Sequence, residues 1–478
     1  MTSTLIITVL IAYFGLLIFI SRITSKEEDN ESFFVGKKQS PWYIVAFGMI
    51  GASLSGVTFI SVPGWVASSQ FSYFQMVLGY LVGYAVIATV LMPLYYRLNL
   101  TSIYTYLEDR FGFWSYKSGA FYFLLSRTIG AAFRLFLVAN VFQILVFDAW
   151  GIPFAITVAI TIALIWVYTH KAGIKTIIWT DTLQTLFMLI AVVLCFYYVA
   201  EAMDFSLLKA VEQISLSEYS KTFFFEDSSA ASFFPKKFLA GAFLAIVMTG
   251  LDQDMMQKNL SCSSIKDAQK NMFWFSIVLV FVNLLFLGLG ALLYLFAAKF
   301  GISATGDDLF ATVAMHPEMP IAVGLFFLLG LIAAAYSSAD SALTALTTSL
   351  CVDFLDIEKR EKSKQLQIRK RAHILFSVIL FLVILVFKLI NDESVISALF
   401  KVAGYTYGPL LGMYAFGLFT KWKIKDQLII SVVVLAPILS YVLQLIAPIW
   451  WGFHFGFELL IVNGALCFFG MMLIRKKD

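Results

Sequence analysis

Long apolar runs, separated by short polar connections, alternate along this whole sequence. A membrane-spanning helix needs about 20 predominantly apolar residues, and thirteen segments approach or exceed that length. They cover residues 4–21, 42–67, 73–96, 117–147, 154–168, 176–200, 238–256, 271–300, 321–352, 372–390, 396–420, 428–447 and 455–474. None shows the apolar/polar alternation that a membrane β-barrel requires. We therefore predict an all-α polytopic membrane protein with about 13 transmembrane helices.

The ninth span carries a carboxylate among hydroxyl groups. Asp340 stands in an otherwise uncharged run that begins at Ile321. At about 3.6 residues per turn, one helix face carries Ser337, Ser341, Thr344 and Thr348, with Ser338 and Asp340 at its margins. A charge at membrane depth is costly and usually faces the protein interior, and oxygen ligands suit a small hard cation such as Na⁺. Hydroxyls often bond only their own helix, but for Ser337, Ser338 and Asp340 together we favour a cation site.

The second span contains residues that weaken a helix at its middle. Its glycines and proline alternate with hydroxyl residues: Gly48, Gly51, Gly56 and Pro63 with Ser53, Ser55, Thr58 and Ser61. Such a break is tolerated at membrane depth where the freed backbone lines a cavity, and its carbonyls can hold cations. We predict a broken helix here; close helix packing is the alternative role for the glycines.

Other spans also carry unusual residues. Asp181 lies several residues into the sixth span, where it either caps a helix or acts as a second cation ligand. Arg127 and Arg134 lie inside the fourth; one of them pairs with a carboxylate or reaches the interface, and the other is a candidate for binding an anionic group of a substrate. Gly250 interrupts the seventh span, and the glycine-rich segment 403–419 predicts a kinked gate helix in the eleventh.

Composition supports a membrane protein and excludes other classes. Hydrophobic residues make up 60% of the 478 residues and charged residues only 13%. The net charge of +4 is spread over loops, so we predict no nucleic-acid partner. The four cysteines are scattered and form neither a CxxC pair nor a Cys/His cluster, which argues against a disulfide framework or a zinc site. His170, His316, His373 and His454 are far apart, so we expect no catalytic constellation and no enzyme activity.

The basic residues predict an orientation. Loops on one side carry most of them, including Lys26, Lys37, Lys171, Lys258, Arg369 and Lys477. The opposite side has few, mainly Lys209, Lys221, Lys236 and Lys237. By the positive-inside rule, the N-terminus is outside and the C-terminus cytoplasmic in the cell's inner (plasma) membrane.

Five stretches in this order resemble the sodium/solute symporter family, nearest to its sialic-acid and sugar branch. They are TSIYTYLEDRFG (101–112), IIWTDTLQ (177–184), GLDQDMMQKNLSC (250–262), SSADSALTALTTSLCVD (337–353) and AGYTYGPLLGMYAFGLF (403–419). The resemblance spans nearly the whole chain and implies a leucine-transporter-type core of 5+5 inverted repeats. The implied parts are an extra helix and inner loop (1–41), a first repeat (42–200), an outer loop (201–237), a second repeat (238–420) and two C-terminal helices (421–478).

The resemblance also implies ion ligands. It implies one sodium site from the carbonyls of Gly51, Leu54 and Ala334 and the hydroxyls of Ser337 and Ser338. A second sodium ion is implied at Asp181, Asp340 and Ser341. Other members often have Ser or Thr where this chain has Asp340, so the carboxylate either strengthens that cation site or binds a proton.

Substrate contacts follow from the same resemblance. The implied residues are Ser55, Thr58, Phe74, Gln75, Arg127 and Tyr407. Met248 and Thr249 stand where the sugar branch has an aromatic pair, which argues against sugar stacking.

The implied function is Na⁺-coupled import of a small polar organic solute across the lipid bilayer by alternating access. Candidate solutes are a sugar acid such as sialic acid, a sugar or a carboxylate. Proton coupling and an amino-acid or monocarboxylate solute remain open alternatives. A cation channel is the alternative of another class, because hydroxyl-lined pores also pass cations, but a channel would conduct without any solute.

Overall fold

The computed structural model describes residues 3–24, 38–169, 174–390 and 394–476. His170 and the basic residues Lys26, Lys37, Lys171 and Lys477 lie outside these ranges. Helices account for nearly all of the described chain, as the long apolar runs predict.

Each of the thirteen predicted spans contains at least one helix. The principal helices are α1 (Ser3–Thr24), α2 (Trp42–Ser69), α3 (Ser72–Arg97), α4 (Thr105–Arg110), α5 (Phe113–Phe142), α6 (Phe154–Thr169), α7 (Ile174–Ala202), α8 (Leu207–Leu216), α9 (Phe234–Gly250), α10 (Gln253–Leu260), α11 (Ile265–Phe300), α12 (Leu309–Ala314), α13 (Ile321–Phe354), α14 (Lys362–Ile390), α15 (Val395–Thr406), α16 (Gly408–Phe419), α17 (Ile429–Trp451) and α18 (Leu459–Leu473). Within the described residues, eight helices are long and apolar enough to cross a membrane, and α9 with α10 forms a ninth, bent span.

The second span is broken where its sequence predicts. Ser55 leaves the helical conformation, with φ 57° and ψ 173°, between two helical halves of α2. A non-glycine residue in this backbone region costs about 1 to 3 kcal/mol and persists only where its surroundings enforce it. The next residue, Gly56, lets α13 approach closely, because a Cβ there would lie 3.2 Å from the Cβ of Ala335. The close approach of α13 therefore accompanies the break.

A second discontinuity separates α9 from α10. The two helices are bent by 65° relative to each other. Asp252 caps the new helix, because its Oδ1 accepts hydrogen bonds from the backbone N–H groups of Asp254 (3.0 Å) and Met255 (3.3 Å). The bend turns α10 back into the protein, and all eight of its residues are buried.

Helix α13 is the centre of the bundle. Every residue from Gly330 to Ser349 is buried, and the helix packs against α2, α5, α7 and α14. Its hydroxyls and Asp340 therefore face protein, as the sequence predicts.

The outer loop packs over the start of α3. The backbone N–H of Phe71 donates to the carbonyl of Lys221 at 3.1 Å. Gln75 is bound to the same loop, because its Nε2 donates to the carbonyl of Ser232 at 2.9 Å and its Oε1 accepts from the N–H of Phe224 at 3.2 Å. The loop is thus held as a cap on the bundle.

Helices α3 and α9 approach each other backbone to backbone at two glycines. A Cβ on Gly79 would overlap the carbonyl oxygen of Phe238, and one on Gly241 would overlap that of Met76. The missing side chains allow the two backbones to touch, as small residues do in membrane helix pairs.

We expect Gly241→Ala to lower the thermal stability of the purified protein in detergent. Overpacking a close contact costs about 1 to 3 kcal/mol, which outweighs the gain in helix propensity. Gly288→Ala is the matched control, because its new methyl would lie 3.6 Å from the Phe196 ring, an ordinary contact. An unfolding temperature of Gly241→Ala at or above that of the Gly288→Ala protein would contradict the crossing geometry.

Candidate functional site

The break in α2 lies directly against the hydroxyl face of α13. The Ser338 hydroxyl donates to the carbonyl of Ala52 at 3.2 Å and approaches the carbonyl of Ala334, one turn back on its own helix, at 3.4 Å. Because Ser55 departs from helical geometry, carbonyls in the preceding turn lose their regular partners and become available as ligands.

The five positions expected to form the first sodium site converge on this junction. Gly51 and Leu54 lie in the turn before the break, and Ala334, Ser337 and Ser338 lie in the facing turn of α13; all five residues are buried. The backbone N–H of Gly51 donates to Thr185 Oγ1 on α7 at 3.0 Å, which fixes this turn from a third side. A cradle of carbonyl and hydroxyl oxygens suits Na⁺, which prefers hard oxygen ligands.

Asp181 is held beside this junction by an ion pair. Its Oδ1 accepts a hydrogen bond from the Ser337 hydroxyl at 2.7 Å, and its Oδ2 lies 2.7 Å from the Lys258 ammonium. Both charged side chains are at most 1% exposed. Lysine therefore supplies the positive charge next to Asp181, and the carboxylate is one hydrogen bond away from a predicted sodium ligand.

Sequence reasoning missed this role of Lys258. The sequence groups Lys258 with the basic residues of an inner loop, because the predicted seventh span ends at Met256. The bend after Gly250 instead carries Lys258 on α10 into the interior. The run of Asp252, Gln253 and Asp254 after a helix-breaking glycine is the signal that could have revealed an inward turn.

A second set of ion pairs extends the network across the bundle. Arg127 on α5 pairs with Asp254, and its Nη1 lies 3.9 Å from Asp252 Oδ2. The Tyr407 hydroxyl, at the junction of α15 and α16, donates to Asp252 Oδ2 at 2.6 Å. Ser341 of α13 donates to Asp254 Oδ1 at 2.5 Å. Arg127 and Tyr407 are both predicted to bind substrate, but here they contact other side chains of the same protein.

The predicted second cation site lies within this network. Asp340 Oδ1 accepts from the backbone N–H of Ser341 at 2.6 Å, while Ser341 and Asp181 are engaged as described above. The Lys258 ammonium, 2.7 Å from Asp181 Oδ2, already occupies one side of the carboxylate that a second sodium ion would use.

A narrow cavity lies on the other side of the α2 break. It holds about 80 Å³. The predicted substrate residues Ser55, Thr58 and Arg127 line it, and Tyr407 lines a small pocket next to Arg127. Phe74 is half-buried and is not among the lining residues, and the Gln75 amide is bound to the outer loop instead. Sequence reasoning missed further lining residues, among them Tyr73, Tyr80, Tyr84 and Asn283.

Arg134 differs from Arg127 in forming no ion pair among the described residues, whereas Arg127 pairs with Asp252 and Asp254. It lines the cavity and is 5% exposed. Among the described residues, its Nε and Nη1 have no hydrogen-bond partner. A buried guanidinium with free donors is matched to a carboxylate, which accepts two parallel hydrogen bonds. Of the two arginines of α5, Arg134 is therefore the one available to an anionic ligand.

Broken helices around a central cavity, with carbonyls and hydroxyls at the break, are typical of secondary transporters. The model of the sodium:solute symporter family matches residues 33–426, so the chain belongs to this family. It is therefore an integral membrane transporter coupled to sodium and not an enzyme.

Curated relatives and a solved structure agree with this assignment. The chain is 24% identical to the sodium/sialic acid symporter NanT of Aliivibrio fischeri over 446 residues, which are 90% of this chain and 86% of NanT. It is 22% identical to the sodium/sialic acid symporter SiaT of Proteus mirabilis, over 89% of this chain and 87% of SiaT. The structure of a substrate-bound, outward-open Na⁺-coupled sialic acid symporter superposes with a TM-score of 0.83 over 99% of both chains at 19% identity. The predicted leucine-transporter-type fold is confirmed.

Breaking the Lys258–Asp181 pair should destabilise the protein. Removing one partner of a buried ion pair typically costs about 3 to 5 kcal/mol, because the other charge is left uncompensated. We therefore expect Lys258→Gln and Asp181→Asn each to lower the unfolding temperature in detergent markedly.

The double variant Lys258→Gln/Asp181→Asn should recover part of that loss, because neither charge is then left alone. Lys221→Gln is the control, since its ion pair with Glu226 is 3.0 Å long but solvent-exposed and should contribute little. Additive losses in the double variant would show that the two side chains do not interact.

Proposed function

We propose that this protein imports a small organic acid of the sialic-acid type, driven by sodium entering down its gradient. The unpaired guanidinium of Arg134 in the central cavity is the observation that carries the choice of an acid. The curated relatives named as sodium/sialic acid symporters support it. Ser55 and Thr58, at the break itself, would bind the hydroxyl groups of such a solute.

Sodium binds, in this proposal, between the broken helix and α13. The carbonyls of Gly51, Leu54 and Ala334 and the hydroxyls of Ser337 and Ser338 would replace its hydration oxygens. Asp181 would contribute negative charge through Ser337. Since the same break shapes the cavity, sodium favours the conformation that binds solute, and solute favours sodium by the same free energy.

The position of Lys258 affects how many sodium ions can be transported with each solute. Its ammonium neutralises Asp181 at the position implied for a second sodium ion, so we propose that one sodium ion accompanies each solute while this pair is intact. Asp340 remains the residue at which a proton could replace a cation. Coupling to protons instead of sodium would appear as uptake that persists in choline at fixed pH.

Orientation and architecture complete the proposal. We propose inverted repeats over residues 42–200 and 238–420, because the first helix of each is discontinuous, at Ser55 and after Gly250. The extra N-terminal helix and the two C-terminal helices flank these repeats. The N-terminus would lie outside and the C-terminus in the cytoplasm, with the protein in the inner (plasma) membrane. The narrow cavity must widen for the solute to enter, as alternating access requires.

Ser338→Ala should raise the sodium concentration needed for half-maximal solute uptake into proteoliposomes, because one sodium ligand is removed. The expected shift is about tenfold, the effect of losing a single hydrogen-bond-scale interaction of about 1.4 kcal/mol. Ser440→Ala is the matched control, since this buried hydroxyl also bonds a carbonyl one turn back, at 2.8 Å, but lies on α17. Equal sodium dependence in both variants would exclude Ser338 as a ligand.

Arg134→Gln should abolish sodium-dependent uptake of N-acetylneuraminate, and Arg134→Lys should retain part of it because the charge is preserved. Competition experiments on the wild-type protein provide the check on chemistry. Excess N-acetylneuraminate should block uptake, whereas its neutral methyl ester should compete at least tenfold less well. An ester that competes equally would refute carboxylate recognition, and a channel would instead conduct sodium without solute.

A further inference from the structure

Helix α8, in the outer loop, leaves half of its apolar face uncovered. The helix packs against α7 and α11, and its residues Ala210 and Ile214 are buried. At about 100° per residue, Leu207, Val211 and Leu208 continue the same apolar face around the helix. Yet these three side chains are 52%, 58% and 86% exposed. Exposed apolar side chains that adjoin one another mark a surface that contacts a partner.

The opposite side of α8 is polar. It carries Lys209, Glu212 and Gln213, and the two charged residues are exposed. A short helix with one apolar side and one charged side matches the pattern of helices that lie in the membrane–water interface.

The position of α8 along the chain also fits that interface. Helix α7 presents a row of exposed apolar side chains at intervals of three or four residues, which in a spanning helix faces lipid: Leu186, Ile190, Val193 and Tyr197. The row ends on a tyrosine, a residue enriched where a membrane meets water. Because α7 ends at Ala202 and α8 begins at Leu207, α8 starts close to this level.

Both ends of α8 are held at the rim of the bundle. Before the helix, Asp204 Oδ2 lies 3.8 Å from the ammonium of Lys299 at the end of α11. After the helix, the Tyr219 ring lies 5.5 Å from the ring of Tyr294, also on α11, between centroids. The uncovered face therefore belongs to a helix that is fixed beside two spans.

We propose that α8 lies in the membrane–water interface and binds the lipid bilayer through Leu207, Leu208 and Val211. Its place at the end of the lipid-facing row of α7 favours lipid as the partner. A patch of three side chains is also far smaller than the about 20 to 30 residues per side of a stable protein interface. The inference goes beyond the proposed function and does not depend on which solute is carried.

Lipid binding at α8 has a consequence for the cap formed by the outer loop. The residues directly after α8 bind the turn between α2 and α3, because the carbonyl of Glu218 accepts from Gln70 Nε2 at 2.7 Å and that of Lys221 accepts from the N–H of Phe71 at 3.1 Å. A bilayer contact at α8 thus anchors the loop that covers the outer end of the broken helix.

The test is spin labelling of the full-length protein in proteoliposomes, with a nitroxide attached to the Leu208→Cys variant. The four native cysteines are buried, and labelled wild-type protein measures their background. We expect this label to collide more often with oxygen than with a water-soluble nickel chelate, at a depth of about 5 to 10 Å inside the headgroup–acyl boundary. Val193→Cys, on the lipid-facing row, is the membrane control.

Glu212→Cys is the matched control on the opposite side of the same helix, and its label should collide mainly with the nickel chelate. Val211→Cys repeats the measurement at a second apolar position, in case the unfolding temperature shows that the first variant is damaged. Labels at both apolar positions that are as open to the chelate as the Glu212→Cys label would overturn the proposal. Exclusion of both reagents, with dipolar coupling between labels that disappears on dilution with unlabelled protein, would also overturn it by identifying a second copy of the chain as the partner.

Discussion

The centre of this helix bundle is stable only while the buried charges of Lys258 and Asp181 are paired. Inside a membrane protein, a charge must find an opposite charge or a polar partner, because lipid offers none. Asp181 meets this requirement with Lys258 and with Ser337, at 2.7 Å each. The arrangement brings α7, α10 and α13 together around one carboxylate. Any cation that binds nearby must fit into a charge balance that the protein has already established.

Backbone discontinuity makes this charged centre usable for transport. An unbroken α2 would bury its carbonyls in its own hydrogen bonds, and Ser338 would face a closed helix surface. The non-helical Ser55 instead places a turn with available carbonyls against α13, beside a cavity lined by Arg134. The bend before α10 has the complementary effect, because it brings Asp254 and Lys258 into contact range of α5, α7 and α13. Ion and solute sites therefore share the same structural elements, which is the physical basis for coupling between them.

Local composition was enough to predict much of this arrangement. The apolar runs predict the helices, the glycines around Ser55 predict the break, and the paired hydroxyls at Ser337 and Ser338 predict the polar face of α13. The partners of individual side chains are harder to predict from the sequence, because they depend on which helices meet. From the sequence, Lys258 is predicted to be a basic residue of an inner loop, because the bend before α10 is not evident. Gln75 is predicted to contact substrate, because the sequence does not show that the outer loop binds its amide. Likewise, sequence cannot tell which arginine of α5 is neutralised, since Asp254 approaches Arg127 only in the folded bundle.

Thermodynamic linkage gives the most direct test that the broken helix and α13 form one coupled site. The measurement is the equilibrium affinity of the purified protein for N-acetylneuraminate as a function of sodium concentration, together with its sodium affinity with and without saturating solute. Sodium should strengthen solute binding by some factor, and solute should strengthen sodium binding by the same factor. Solute affinity that is identical in sodium and in choline would contradict a coupled site.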